Sequence, residues 1–282
     1  MRKYLSLIKF SHTIFAMPFA FIGFFLATTS YEFEWITLVY VILCMVFARS
    51  AAMAFNRYID RDIDKENPRT SEIREIPNGS IKAKSALIFV IINILLFIST
   101  TYFINTICFY LSPIALIVVL GYSYTKRFTS LCHLVLGLGL SLAPIGAYLA
   151  VCGEFSFIPL LFSVTVLFWV SGFDIIYSLQ DEEFDKIHKL HSIPVFIGKK
   201  DALMISKVFH LITFSALSIA GSLGDFGLYY WIGFWIFSAL LVYQHTLVKE
   251  NDLSKVNLAF FTTNGIASII FGTFVILDLL IL

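Results

Sequence analysis

Residues 36–64 read ITLVYVILCMVFARSAAMAFNRYIDRDID. The first part, 36–55, holds a single charge, Arg49, and the last nine residues turn abruptly polar. A helix needs about 20 mainly apolar residues to cross roughly 30 Å of hydrocarbon. Residues 36–55 meet that length, so the stretch is a membrane helix ending in a cluster of acids. In Asn56-Arg57-Tyr58-Ile59-Asp60-Arg61-Asp62-Ile63-Asp64, the residues Asn56, Asp60 and Asp64 are four apart. A continuing helix would stack those three on one face.

Outward from this stretch the pattern repeats. The chain has 282 residues, 59% of them hydrophobic and 14% charged. A soluble domain is nearer ~45–50% apolar and ~25% charged. About nine apolar segments follow one another: 12–30, 36–55, 84–102, 105–122, 133–151, 157–178, 204–222, 228–245 and 259–282. A short polar break at Asn105 divides the third from the fourth. Barrel-type alternation is absent, and backbone in lipid must satisfy its own hydrogen bonds, so the segments are helices. The expected fold is an all-α, polytopic bundle of nine transmembrane helices. The first segment is retained as a helix, since no small-residue cleavage site follows it.

Charge sets the orientation. With Arg2, Lys3 and Lys9 in the cytoplasm and sides alternating, all 20 Lys and Arg fall on the cytoplasmic side. The external loops 31–35, 101–106, 152–157 and 222–228 hold acids but no base. This is the positive-inside pattern, and it places the C-terminus outside. The two long cytoplasmic loops, 56–83 and 179–203, each follow the second helix of a four-helix unit. One membrane domain of two pseudo-repeat halves is expected, about 1–125 and 126–250, plus a ninth helix. The net charge of +1 and the lack of a basic tract give no footprint for nucleic acid. The four cysteines lack CxxC spacing and read as buried free thiols.

The second long loop opens on Asp174-Ile-Ile-Tyr177-Ser-Leu-Gln-Asp181-Glu-Glu-Phe-Asp185 and repeats the four-residue acidic step. Carboxylates clustered at a membrane boundary repel one another and lose hydration. Mg²⁺ answers both problems, because it takes oxygen ligands and bridges carboxylates to substrate phosphates. Two clusters facing each other would hold a diphosphate between them. Lys126 and Arg127, after Tyr124, offer a point charge and a planar fork to phosphate, or anchor the inner face. Arg49 lies seven residues before Asn56, two turns deeper on the same face, where a cation needs a carboxylate or substrate partner. Arg69 and Arg74 pair with phosphate or close over the site. Lys9 and His12 border the acceptor end, while His188 and His191, without zinc spacing, are loop residues. The 30 Phe suit an apolar channel, although most read as core or lipid-facing positions.

Asn56-x3-Asp60-x3-Asp64, Pro68-Arg69-Thr70, Arg74, Gly79, Tyr124-Thr-Lys126-Arg127, Asp174-x2-Tyr177-x3-Asp181-x3-Asp185 and Ser192 together resemble the UbiA prenyltransferase family over nearly the whole chain. The blocks Phe55-Asn56-Arg57, Gly172 to Tyr177 and Leu190 to Pro194 look most like members serving bacterial quinone synthesis. Those are 4-hydroxybenzoate polyprenyltransferases and the prenyltransferase of the futalosine menaquinone route. Two departures stand out: Arg57 replaces a frequent Asp, and the Arg69-to-Arg74 spacing is one residue longer.

The resemblance implies helices around a central cavity open to lipid in the bacterial inner membrane. It implies two Mg²⁺ held by Asn56, Asp60, Asp64, Asp181 and Asp185, with Asp174 assisting. Arg61, Lys126 and Arg127 then neutralise the diphosphate of a polyprenyl donor, and the allylic cation alkylates a small aromatic acceptor such as 4-hydroxybenzoate. Membrane lipid is the surrounding partner, and no obligatory protein partner is implied. Rival readings are another acceptor (haem, chlorophyll or another quinone precursor) and a cation or substrate transporter.

Overall fold

The computed structural model describes residues 2–8 and 16–281, apart from the side chain of Arg2. Lys9 and His12 lie outside the described residues. All regular structure described is helical: α1 Arg2–Leu7, α2 Met17–Thr28, α3 Trp35–Ile59, α4 Arg61–Glu66, α5 Ala83–Ile104, α6 Thr106–Thr125, α7 Cys132–Cys152, α8 Phe157–Ser178, α9 Glu182–Ile187, α10 Ile193–Leu223, α11 Leu228–Leu247 and α12 Asn264–Ile281. Seven helices among the described residues are long and apolar enough to cross a membrane. The remaining two predicted segments correspond to α2, which has 12 described helical residues, and α11. The protein is an integral membrane protein.

Local chemistry sets the helix ends. The polar break at Asn105 is a cap: its side-chain oxygen accepts from Cys108 N at 2.9 Å, and its amide donates to Leu149 O at 2.8 Å on α7. The N-terminus of α11 is capped from another helix. Asp278 on α12 accepts from the backbone N–H groups of Gly227 at 2.6 Å, Tyr229 at 3.0 Å and Tyr230 at 3.2 Å. A buried acid there meets orphan donors and the positive helix end together. Helix α10 begins at Ile193, within the predicted loop 179–203, and bends at Gly198, whose φ of +82° suits glycine.

Packing places α2 against α7 and α12, with α8 between α7 and α10. At the α2–α7 contact the backbones touch, since a Cβ on Gly23 would lie 2.0 Å from Pro144 O. Much of the aromatic content is core. Phe19, Phe162, Trp169, Tyr230, Phe234, Phe237 and Phe271 form one buried cluster joining α2, α8, α11 and α12. This cluster stands beside the site and holds α8 in place.

Candidate active site

Helix α3 runs to Ile59 and pauses at Asp60, where φ is −88° and ψ is 3°, before α4 restarts. The i to i+4 bonds survive the pause: Asp60 N donates to Asn56 O at 2.9 Å, and Asp64 N to Asp60 O at 2.7 Å. Asn56, Asp60 and Asp64 therefore remain stacked, as the spacing predicts. Asp174 lies in the penultimate turn of α8, Asp181 ends a 3-10 turn, and Asp185 sits on α9.

The acids are held by bases from other segments. Asp60 is buried and receives Lys126 at 3.3 Å, Arg127 at 2.9 Å and the Asn56 amide at 3.0 Å. Asp64, also buried, pairs with Arg74. Asp181 takes two bonds from Arg69, one of them from Nε at 2.9 Å, and a third from the Asn67 amide at 3.2 Å. Arg69 also donates to Tyr177 Oη at 2.8 Å and lies over its ring. Asp174 alone among these acids meets a histidine, with His133 Nδ1 at 2.7 Å from Oδ2.

These contacts put both acidic motifs on one side of the membrane. Asn67 and Arg69, from the first loop, bond Asp181 of the second. Glu66 of α4 lies 3.0 Å from His188, next to α9. Lys126, bound to Asp60, is also within electrostatic reach of Asp185. Among the described residues no three His, Cys, Asp or Glu side chains converge as a preformed metal cluster.

Other candidates lie elsewhere. Arg61 is not brought to the acids: it donates to Tyr58 O at 2.8 Å, covers the Tyr58 ring and pairs with Asp62 at 3.4 Å. Ser192 is the N-cap of α10, accepting from Val195 N at 3.3 Å. Tyr124 packs against Phe55 and Arg127. The Asn56 oxygen accepts from buried Arg57 at 3.3 Å, so in this conformation Asn56 orients Asp60. The four cysteines are free.

A cavity of about 370 Å³ opens between α3, α5, α6 and α7. Val41, Cys44, Met45 and Ala48 belong to its apolar wall, whereas Arg49 and Tyr122 supply polar groups. Arg49 Nε is buried and has no hydrogen-bond partner among the described residues. Tyr122 lies within electrostatic reach of Arg49, Arg57, Asp60 and Asp174, so this end of the cavity adjoins the acids.

Sequence reasoning missed His133, Asn67 and Tyr122, and quoted Thr70 without giving it a role. Thr70 Oγ1 donates to Asp64 O at 2.9 Å and folds the first loop back on α4. His133 begins an apolar run and looks like a helix-start residue; only the tertiary pairing reveals its partner. Asn67, directly before Pro68, carries the one local signal, because such a residue marks a turn.

Comparison with known proteins agrees with this architecture. The UbiA prenyltransferase family model matches residues 16–266. A 4-hydroxybenzoate octaprenyltransferase of Aliivibrio fischeri strain MJ11 is 31% identical over 243 residues, covering 84% of this chain and 82% of the relative. The enzyme of that name from Tolumonas auensis is 30% identical, over 79% of this chain and 78% of the relative. The apo structure of a UbiA homolog from Aeropyrum pernix K1 superposes with TM-score 0.87 at 30% identity, over 95% of this chain and 98% of that one. A homolog from Archaeoglobus fulgidus, solved with GPP and Mg²⁺, shares the fold at TM-score 0.75 and 22% identity, over 98% and 99% of the two chains. On its motifs, its fold and these matches, the chain belongs to the UbiA prenyltransferase family.

Proposed function

We propose that the protein transfers a polyprenyl group from a polyprenyl diphosphate to an aromatic acceptor such as 4-hydroxybenzoate, in bacterial quinone synthesis. One observation carries the reading: two acidic helix ends, cross-linked by bases on a single membrane face, adjoin an apolar cavity that holds a buried arginine. The distribution of basic residues supports a cytoplasmic site in the inner membrane, with the N-terminus inside and the C-terminus outside. The equivalent positions of α4 and α9, each after the second helix of a four-helix set, support two halves joined around one site.

The acids suit Mg²⁺ by donor chemistry, since they present only hard oxygen ligands. Asp60, Asp64, Asp181 and Asp185 would hold it, with Asn56 behind Asp60. When bound it supplies positive charge at the leaving diphosphate, a large contribution in such displacements. The protein's own residues do the rest. Arg69 and Arg74, now on Asp181 and Asp64, transfer to phosphate oxygens, which releases both carboxylates. Lys126 and Arg127 neutralise the leaving group from the α6 end. The aromatic and apolar walls exclude water from the allylic cation and stabilise its charge. Arg49, whose Nε has no partner among the described residues, suits the carboxylate of the acceptor and orders the ring.

This arrangement also favours an enzyme over a transporter, because the acids sit at one face rather than along a path through the midplane. Purified protein in lipid nanodiscs, given a polyprenyl diphosphate and 4-hydroxybenzoate, is expected to form the prenylated acid only with Mg²⁺ present. Mass spectrometry reads the product. Consumption of the donor without magnesium, or no consumption with it, would overturn the reading. A panel of aromatic acceptors with and without a carboxylate then tests Arg49.

A further inference from the structure

The helix nearest the C-terminus does not open as an ordinary α-helix. Residues Leu258–Thr263, directly before α12, form a π-helical turn, and Thr263 Oγ1 donates to Leu258 O five residues back at 3.1 Å. Such a turn takes carbonyl oxygens away from their usual i+4 donors, so other groups must satisfy them. Side chains do so here. Ala259 O accepts from Gln244 Nε2 of α11 at 3.0 Å and from Asn264 Nδ2 at 3.2 Å. Phe260 O accepts from Asn264 Nδ2 at 2.9 Å, and Asn264 Oδ1 accepts in turn from Trp169 Nε1 of α8 at 3.0 Å. Gln244 and Asn264 are both fully buried. Three helices, α8, α11 and α12, therefore fix the shape of this turn.

The turn meets the candidate site through its aromatic rings. Phe260 lies 4.2 Å from the Tyr177 ring and 5.2 Å from that of Phe173, one helical turn earlier on α8. Phe261 meets Tyr177 edge-on at 5.8 Å. The Tyr177 hydroxyl accepts from Arg69 Nη1 at 2.8 Å, and the Arg69 guanidinium lies 5.1 Å from the centre of its ring. A path of contacts thus runs from the three-helix network through Phe260 and Tyr177 to Arg69. When Arg69 leaves Asp181 for phosphate, Tyr177 is the partner it can keep. A long side chain already held at one N–H and against one ring loses less entropy on binding than a free one.

We propose that the π-helical turn before α12 positions the diphosphate site, and that Phe260 is its positioning residue, acting on the donor only through Tyr177 and Arg69. This rests on the prenyl-transfer reading above, and it gives α12 a part in donor binding. Phe260 holds the Tyr177 ring, the Tyr177 hydroxyl holds one N–H of Arg69, and the other N–H groups swing from Asp181 to phosphate oxygens. Loosening Phe260 gives Tyr177 more freedom and leaves Arg69 less often aimed at the donor. The loss falls on donor affinity, because the charge that stabilises the leaving group is unchanged once the donor is bound. The acceptor, held at the Arg49 end of the cavity, is untouched.

The test is a double-mutant cycle on full-length protein in nanodiscs, with Mg²⁺, a polyprenyl diphosphate and 4-hydroxybenzoate. Phe260→Leu keeps apolar bulk and removes the aromatic face. It is expected to raise KM for the donor about fivefold, with kcat and the acceptor KM held. On an Arg69→Ala background the same substitution should change the donor KM by less than about twofold, because the link it acts through is gone. Phe260→Tyr, which keeps the ring, should restore the wild-type donor KM. A merely structural role would give equal factors on both backgrounds and move the acceptor KM as well. Either result overturns the proposal, as does an unchanged donor KM in Phe260→Leu. If Phe260→Leu fails to insert, Phe260→Met carries the same cycle. Absence of product from the wild-type protein would instead sink the prenyl-transfer reading. Magnesium-dependent binding of inorganic pyrophosphate to the same four proteins, measured by calorimetry, would then decide the proposal by the same ratios.

Discussion

Arg69 donates two bonds to Asp181 and one to Tyr177, joining the first loop to the second acidic motif. A fork is needed for that pairing, and a lysine offers only a point charge. Arg69→Lys is therefore expected to raise KM for the polyprenyl diphosphate about tenfold, equivalent to one lost charge-assisted bond of roughly 1.5 kcal/mol. Arg69→Ala should raise it further, and steady-state kinetics over donor concentration reads both. Asp60→Ala and Asp181→Ala should lower kcat at least 10²-fold while the protein still inserts, because charge stabilisation at the leaving group is lost. Full turnover in either would remove these acids from the site. At this scale the four-residue acidic spacing was legible, since helical geometry converts it directly into a shared face. The same geometry keeps Arg61 off that face: one residue past Asp60 is about 100° round a helix, so it turns toward Tyr58 and Asp62. The base on each acid was not legible, because Asp181 and Arg69 lie 112 positions apart.

Helices obey the hydropathy pattern, and their ends obey chemistry that hydropathy does not record. Asn105 marks a break in the sequence and caps α6 in the structure, so that boundary was legible. Asp278 in the last apolar run offers no local signal, since its three donors belong to the start of α11, 48 to 51 positions away. Removing its carboxylate leaves three N–H groups at the start of α11 without this partner, that of Tyr230 buried and the other two part-buried. Asp278→Ala should destabilise the protein by about 2 kcal/mol, and Asp278→Asn by less, since an amide oxygen still accepts. Thermal unfolding in detergent reads the order; equal Tm values for both variants and the wild type would refute it. At the α2–α7 contact, Gly23→Leu has no room beside Pro144 O and should lower Tm more than either. Loop length misled the reading of 179–203, because α10 starts eleven residues before the predicted apolar segment and bends at Gly198 instead of ending there.

For the molecule as a whole, the segregation of basic residues and the count of apolar runs left little freedom in the fold class. The cavity was expected, but its walls were not, because which apolar residues face lipid and which face a void depends on packing. Gly146 shows how that packing can be used. It lies on α7 and lines the cavity, and a Cβ built there meets nothing within 4 Å. A larger side chain therefore enters the void without pushing on backbone. Gly146 is 13 residues from His133 along α7, about 20 Å from the acidic end. Bulk at that distance obstructs the far part of a long prenyl tail and leaves the reacting end free. Gly146→Leu is expected to cut kcat/KM for a long polyprenyl diphosphate about tenfold while leaving that for geranyl diphosphate nearly unchanged, since a misfit in an apolar pocket acts on the group that must fill it. Competition between the two donors in one reaction, read by product mass, measures the ratio directly. An unchanged ratio would place the tail outside this cavity.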